Sequence, residues 1–193
     1  MGKAKDTFSP PLSVNKLLLH TCCAPCACAI IEKLLDIGIK PTIFYFNPNI
    51  HPLGEYLHRK DECLRYAQKL GLEQIDGDYD HKNWLECVRG FENEPERSSR
   101  CQLCFNMRLL ESAKLAKQLS IELFTTTLAS SRWKNLEQIT RAGELAESAT
   151  GVHFWAQNWR KGGLQQRRNE LLKANNFYNQ QFCGCEFSTR KDK

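Results

Sequence analysis

The stretch Lys16–Phe46, KLLLHTCCAPCACAIIEKLLDIGIKPTIFYF, decides the fold. It begins with the apolar run Lys16–His20, which predicts a buried strand, and ends with the β-branched and aromatic run Pro41–Phe46, which predicts a second. Between them, Ala27–Gly38 has helical apolar spacing, with Gly38 as a stop signal. A strand, a helix and a strand in this order predict a unit with parallel strands.

The same alternation continues downstream. We predict strands at 72–75, 122–124 and 152–155, a short helical segment at 84–88, and helices at 54–70, 101–119, 136–149 and 164–175. With right-handed crossovers, this order predicts a Rossmann-like three-layer α/β/α sandwich with a mostly parallel sheet. We assign one domain to residues 16–188, a disordered leader to residues 1–15 and a basic tail to residues 189–193.

The composition of the chain indicates its cellular compartment. The 193 residues are 41% apolar and 25% charged, which is ordinary for a globular domain. No apolar run approaches the ~20 residues of a membrane span, and the first residues lack the pattern of a signal peptide. We therefore predict a cytoplasmic protein with no membrane partner. In a reducing cytosol, ten cysteines indicate metal or redox chemistry rather than structural disulfides.

Eight of the ten cysteines fall in three close sets, namely Cys22-Cys23-x-x-Cys26-x-Cys28, Cys101-x-x-Cys104 and Cys183-x-Cys185. Cys63 and Cys87 are isolated and are predicted to be core residues. The first set follows the first strand, at the sheet edge where Rossmann-like folds bind their ligands. Neither GxGxxG nor a Walker pattern is present there, so the sequence predicts a metal-binding loop in place of a nucleotide-binding one.

The spacing of the sets suggests their chemistry. Cys101 and Cys104 open a helix, whose N-terminus favours thiolates. Together with Cys22 and Cys23 they supply four thiolates, the number that a 4Fe-4S cluster needs. The Cys183-Gly184-Cys185 segment fits either a redox pair, whose disulfide would be strained and easily reduced, or ligands for a second metal.

One basic segment, Trp155–Lys173, carries two interleaved tryptophans. Basic groups and flat aromatics suit contact with RNA phosphates and bases. The alternative is a solvated helix face with Trp155 and Trp159 in the core. The candidate phosphate-binding residues are Arg160, Lys161, Arg167 and Arg168.

Five motifs in order resemble the cobalamin-independent QueH epoxyqueuosine reductases. They are His20–Cys26; Tyr45–Pro52 with Glu55, Tyr56 and Arg59; Arg100–Cys104 with Arg108; Phe124–Leu128 with Ser130 and Lys134; and Tyr178 with Gln181–Ser188. The resemblance implies a Rossmann-like oxidoreductase that reduces epoxyqueuosine to queuosine at the wobble position of tRNAs with a GUN anticodon, the last step of queuosine biosynthesis. It also implies a 4Fe-4S cluster, and an electron donor that the sequence does not identify.

The resemblance also implies roles for single residues. Cys22, Cys23, Cys101 and Cys104 match the cluster ligands, and Cys183 and Cys185 match a redox-active pair that can form a disulfide bond. Cys26, with Cys183 or Cys185, is a candidate ligand of a second, mononuclear iron.

The residues themselves suggest two further roles. His20 is expected to donate a hydrogen bond to cluster sulfur rather than to be a ligand. Glu55, Asp78 and Asp80 are the candidate proton donors, and the alternative for each is a solvated surface carboxylate.

Three other functions are compatible with parts of the pattern. A zinc-stabilised RNA-binding module would use the same thiolates without catalysis. An ATP-dependent tRNA-thiolating enzyme of related fold would need a pyrophosphate loop where Cys22–Pro25 stands. A thiol–disulfide oxidoreductase would use Cys183 and Cys185 and leave six clustered cysteines unexplained.

Overall fold

A computed structural model describes residues 8–188 of the chain. Its centre is a five-stranded sheet in the order β3-β2-β1-β4-β5, in which every neighbouring pair is parallel. The strands are β1 (Lys16–His20), β2 (Lys40–Tyr45), β3 (Gln74–Asp76), β4 (Leu123–Thr126) and β5 (His153–Phe154). The prediction of a mostly parallel sheet is confirmed.

Six helices cover the sheet: α1 (Ala24–Asp36), α2 (Leu53–Lys69), α3 (His81–Cys87), α4 (Ser99–Gln118), α5 (Leu136–Thr150) and α6 (Leu164–Ala174). Helix α1 packs against α2 and α6, whereas α4 packs against α5. Right-handed crossovers place these two groups on opposite faces of the sheet. The α/β/α sandwich is therefore confirmed. No helix among residues 8–188 is long and apolar enough to cross a membrane.

The core forms around β1. Leu17, Leu18 and Leu19 are all fully buried, because the central strand of a parallel sheet has helices on both faces. A short 3-10 turn, Thr127–Ser130, continues from the end of β4. Since β1 lies between β2 and β4, the chain segments that follow these three strands emerge at one edge of the sheet.

The predicted disordered leader lies partly within the described residues. Residues 1–7 and the basic tail 189–193 lie outside the described residues. Phe8, however, stacks on Trp159 with 5.7 Å between ring centroids, and its side chain is buried. Its ring reaches within 2.4 Å of the position that a Cβ on Gly162 would occupy. The prediction of disorder is therefore wrong for Phe8, because this apolar ring completes the core beside Trp159.

Helices α1, α2, α3 and α4 all begin earlier than predicted, and the boundaries of α1 and α4 matter for the cysteines. Helix α1 begins at Ala24 rather than Ala27, with Cys23 as its extended N-cap residue and a proline in its first turn. Helix α4 begins at Ser99 rather than Cys101. The first cysteine set therefore straddles a helix start, whereas Cys101 and Cys104 lie about one turn apart inside α4.

Candidate metal and redox centre

A cavity of about 550 Å³ opens at the carboxyl edge of the sheet. Cys22, Asn47 and Leu128, which follow β1, β2 and β4, all line it. The backbone nitrogen of Cys22 donates to the Thr127 hydroxyl at 3.2 Å, and that hydroxyl donates to Cys22 Sγ at 3.4 Å. These contacts join the ends of β1 and β4, the point where the strand order reverses and where such folds bind their ligands.

Three thiols converge on one side of this cavity. The sulfurs of Cys22, Cys23 and Cys26 all lie within 4.8 Å of one another, with 3.8 Å between those of Cys22 and Cys23. A hydrogen bond from the Cys23 thiol lowers the pKa of Cys22, whereas burial raises that of Cys23. The hydrogen bond with Cys22 raises the pKa of Cys26 to about 12. Three soft sulfur donors at this spacing form a metal-ligand set.

The cysteines of α4 lie on the same side of the fold. Cys101 lines the cavity, and its sulfur accepts a hydrogen bond from the backbone nitrogen of Arg97 at 3.3 Å. Cys104 is buried beside Trp84, and its sulfur lies 3.9 Å from Arg108 Nη1. Burial raises the pKa of both thiols. A bound metal would offset this cost, because metal ligation favours the thiolate.

The Cys183-Gly184-Cys185 segment closes the cavity. The Cys183 side chain lines it, whereas Cys185 is buried in the cluster that contains Cys104. Burial raises the pKa of Cys185 to about 12. All ten cysteines lie within residues 8–188 and all are free thiols, so the predicted disulfide bond is not formed in this structure.

The cavity is strongly basic. Among the described residues that line it, one is acidic, Glu96, and six are basic: Arg59, Arg97, Arg108, Arg132, Lys134 and Arg168. Burial lowers the pKa of Lys134, but the thiols of Cys183, Cys22 and Cys26 outweigh it, and the net pKa is raised. Such a lining favours an anionic occupant, whether a thiolate-held metal centre or a nucleic-acid phosphate.

Comparison with known proteins places this geometry in a family. The family described as "Epoxyqueuosine reductase QueH" matches residues 17–191. The chain belongs to the QueH family. Curated QueH epoxyqueuosine reductases include that of Acinetobacter baylyi, 46% identical over 98% of this chain and 88% of its own. The reductase of Histophilus somni is 48% identical over 93% of this chain and 74% of its own. The reductase of Thermotoga maritima is 35% identical over 91% of each chain.

Membership in the QueH family makes the chain an oxidoreductase of tRNA queuosine biosynthesis that converts epoxyqueuosine to queuosine. A solved structure of a predicted tRNA methyltransferase subunit from Methanocaldococcus jannaschii has the same fold. It aligns with a TM-score of 0.52 and 15% identity, over 80% of this chain and 76% of that one. At this identity the likeness concerns the fold alone.

The structure places the predicted ligands in or beside one cavity. It brings Cys22 and Cys23 together with Cys26, and it brings Cys101 to the same cavity as Cys183. Cys104 lies deeper, next to Cys185. The assignment of single sulfurs to a 4Fe-4S cluster, to a second iron or to a redox pair therefore stays a prediction in this QueH chain.

The basic segment after β5 divides into parts with different surroundings. Trp155 and Trp159 are buried, so for these rings the core alternative holds. Arg167 binds both carboxylate oxygens of Glu32, at 2.7 and 2.9 Å. Of the four predicted phosphate-binding residues, Arg168 lines the cavity, Arg160 donates to the Lys134 carbonyl at 2.8 Å and Lys161 is exposed.

The structure corrects the expectation for His20. Its ring nitrogens contact the Thr126 hydroxyl at 2.8 Å and the Phe46 carbonyl at 3.1 Å, so both face oxygen rather than sulfur. Burial lowers the pKa of His20 to about 3, so the ring is neutral. His20 thus connects β1 to β4 and to the end of β2, because a fully buried imidazole must satisfy both nitrogens inside the fold.

The candidate proton donors lie elsewhere. Glu55 pairs with Arg59 at 2.6 Å, and Asp80 caps α3 by accepting from the Asn83 nitrogen at 2.9 Å. Asp78 is exposed, and the lining of the cavity, within the described residues, includes none of the three carboxylates. Their role as proton donors stays a prediction, with no support from their positions.

Four polar residues of the site were given no role by sequence reasoning: Arg59, Arg108, Lys134 and Gln180. The Gln180 Nε2 lies 2.6 Å from Cys23 Sγ, and Arg108 contacts Asn47 Oδ1. The signal was available for three of them, because Arg59, Arg108 and Lys134 stand within the motifs that resemble the family. Gln180 lies just outside those motifs, and nothing marked it.

Proposed function

We propose that this QueH chain reduces epoxyqueuosine at the wobble position of tRNAs with a GUN anticodon, using a thiolate-held iron–sulfur centre. The observation that carries the proposal is a cavity with converging thiols and a basic lining at the β1–β4 edge. Thiols supply the ligands of a redox centre. The basic lining attracts a polyanionic substrate to the same opening.

The residues present fit an iron–sulfur group. Cys22, Cys23, Cys101 and Cys104 would hold a 4Fe-4S cluster, and Cys26 would ligate a second iron. Donors already face these sulfurs, since the Arg97 nitrogen and the Thr127 hydroxyl bind those of Cys101 and Cys22. Hydrogen bonds to sulfur tune a cluster's reduction potential. When bound, the group supplies single electrons and an acidic metal site for the epoxide oxygen.

The reaction fixes what the cavity must provide. Removing the epoxide oxygen breaks two C–O bonds, leaves a carbon–carbon double bond and releases water, which consumes two electrons and two protons. The electrons come from an external one-electron donor. Because its pKa is raised, the Lys134 ammonium is a poor proton donor near neutral pH. We assign it to hydrogen bonding and charge stabilisation at the departing oxygen.

The experiment is reduction of tRNA that carries epoxyqueuosine by anaerobically reconstituted protein with a chemical one-electron donor. We expect a nucleoside lighter by one oxygen atom, and visible absorption that Cys22→Ser and Cys101→Ser abolish. Cys28→Ser is the matched control on α1, because Cys28 is buried and its thiol donates to the Pro25 carbonyl, as a serine hydroxyl can. A colourless zinc protein that binds the tRNA without reducing it would replace this proposal with the RNA-binding alternative.

A further inference from the structure

Trp133 differs from every other tryptophan of the chain. All four tryptophans lie within the described residues, and Trp84, Trp155 and Trp159 are at most 5% exposed. The side chain of Trp133 is 51% exposed and lies among the residues that line the basic cavity. An indole ring is the largest apolar side chain, so a large flat surface is accessible at the cavity.

The loop that carries Trp133 is held in place. Arg97 donates from Nε to the Trp133 carbonyl at 2.9 Å and from Nη2 to the Arg132 carbonyl at 3.2 Å. Arg160 donates to the next carbonyl, that of Lys134, at 2.8 Å. Three successive carbonyls are therefore bound by two guanidinium groups. This fixation makes the exposed ring a preorganised surface, which binds a partner at a lower entropic cost than a mobile loop does.

Cationic groups share the cavity lining with the ring. The Arg132 guanidinium lies over the indole, 5.1 Å from the ring centroid. Arg97 and Arg168 line the same cavity. Flat aromatic rings that stack on bases, next to cations that track phosphates, are the two features of surfaces that bind single-stranded nucleic acid.

We propose that Trp133 is a stacking subsite for a nucleobase next to the modified nucleoside in the tRNA loop. This inference rests on the proposed function, which places the modified nucleoside inside the cavity and its neighbours at the rim. Arg132 and Arg168 face the adjoining phosphates, while Arg97 holds the loop that carries the ring. The subsite tolerates any base, because every base has a flat face.

The test uses reconstituted protein and an anticodon stem-loop RNA with 2-aminopurine on either side of the wobble nucleotide. Stacking on Trp133 quenches the 2-aminopurine fluorescence. Trp133→Ala raises Kd by about 5- to 140-fold, the range for one lost base–aromatic stack, and removes the quenching, whereas Trp133→Phe keeps most of both. Leu145→Ala is the control, since Leu145 is 52% exposed on α5 and outside the cavity. Cluster absorbance and melting temperature confirm that each variant is folded.

Each outcome is decisive. If Trp133→Ala binds the RNA with the Kd of the wild-type protein and still quenches the 2-aminopurine, the stacking subsite is overturned. Reduction of epoxyqueuosine by the wild-type protein would then leave the proposed function in place. Tight, Trp133-dependent binding by a protein that reduces no epoxyqueuosine keeps the subsite and removes the function. Unchanged RNA binding with impaired electron delivery from a protein donor also overturns the subsite, and assigns Trp133 to protein docking.

Discussion

Arg59 Nη1 donates a hydrogen bond to the Cys183 carbonyl at 3.2 Å, which joins helix α2 to the cysteine pair near the end of the described chain. Its Nη2 donates to the Phe182 carbonyl at 3.3 Å, and its Nε donates to Glu55 at 2.7 Å. The guanidinium also lies over the Phe182 ring. One buried cation thereby fixes the backbone of the segment that closes the cavity, and it leaves the thiols themselves unbound.

We predict that Arg59→Met loosens this segment. Removing one partner of a buried pair costs about 3 kcal/mol in the free energy of unfolding, and the side chain of Arg59 is 3% exposed. Urea denaturation measures this loss, and alkylation of Cys183 should become at least about tenfold faster, since its carbonyl is released. Arg65→Met is the control on the same helix, because that side chain is 65% exposed. Equal labelling rates in both variants would contradict the role of Arg59.

Gly184 provides a second test of the same segment. Its φ is +101°, and a Cβ there would lie 2.8 Å from Ile50 Cγ1. We expect Gly184→Ala to lower the free energy of unfolding by about 2 kcal/mol, from the left-handed backbone and the contact with Ile50. Gly54→Ala, on α2 with nothing within 4 Å of the added Cβ, should instead stabilise by up to about 1 kcal/mol. Denaturation curves that rank the two variants in the opposite order would contradict this account.

The fold was predictable because its signal is local. The run Leu17–Leu19 is continuously apolar, which is what a strand covered on both faces requires. Helix starts were less predictable, since Cys23 becomes the N-cap of α1 through an extended backbone that its residue type does not specify. That boundary decides that Cys26 lies next to Cys22 and Cys23.

The site was predictable only in part, because its polar residues come from separate elements. Arg59, Arg108 and Lys134 lie on α2, on α4 and in the loop before α5, and tertiary packing alone brings them to one cavity. The basic segment around Trp159 shows the opposite error, in which the sequence predicts a binding surface that the structure buries. Its composition matches an RNA-binding strip, but the ring is covered by Phe8 from the other end of the chain. Composition cannot distinguish an exposed aromatic from a buried one.

We predict that the cysteine pair matters for turnover rather than for assembly. Cys183→Ser and Cys185→Ser should keep wild-type iron and sulfide content and lose reduction of epoxyqueuosine in tRNA. The reason is that Arg59 and the His51 nitrogen, which donates to the Gly184 carbonyl at 2.8 Å, hold this segment through its backbone. Metal analysis and a single-turnover assay measure both properties. Loss of the cluster in both variants would make these cysteines ligands.

Lys134→Gln tests the charge in the cavity. The ammonium lies near the thiols of Cys183, Cys22 and Cys26, which raise its pKa. Removing one preorganised donor from a site where charge develops costs about 10²- to 10³-fold in kcat, and we expect a loss of this size with the cluster retained. Lys161→Gln is the control, because Lys161 is exposed and outside the cavity lining. Equal kcat values for the two variants would remove Lys134 from the chemistry.

Salt dependence can separate the arginines that face RNA from those that serve the fold. Arg167 is already bound by Glu32 and Glu170, so its charge is neutralised within the protein. Arg132 and Arg168 line the cavity. Each phosphate contact with a single strand contributes about −0.7 to the slope of log K against log salt. The Arg132→Ala/Arg168→Ala double variant should therefore show a slope shallower by about 1.4, whereas Arg167→Ala keeps the wild-type slope.

Filter binding of the anticodon stem-loop at several salt concentrations measures these slopes. Cluster absorbance must stay constant across the variants, so that a lost contact is not confused with a damaged centre. Arg167 and Arg168 are adjacent in sequence, but their partners differ: two carboxylates for Arg167, and two asparagines, Asn169 and Asn179, for Arg168. If Arg167→Ala flattens the slope and the double variant does not, RNA binds along the outer face of α6 rather than at the rim of the cavity.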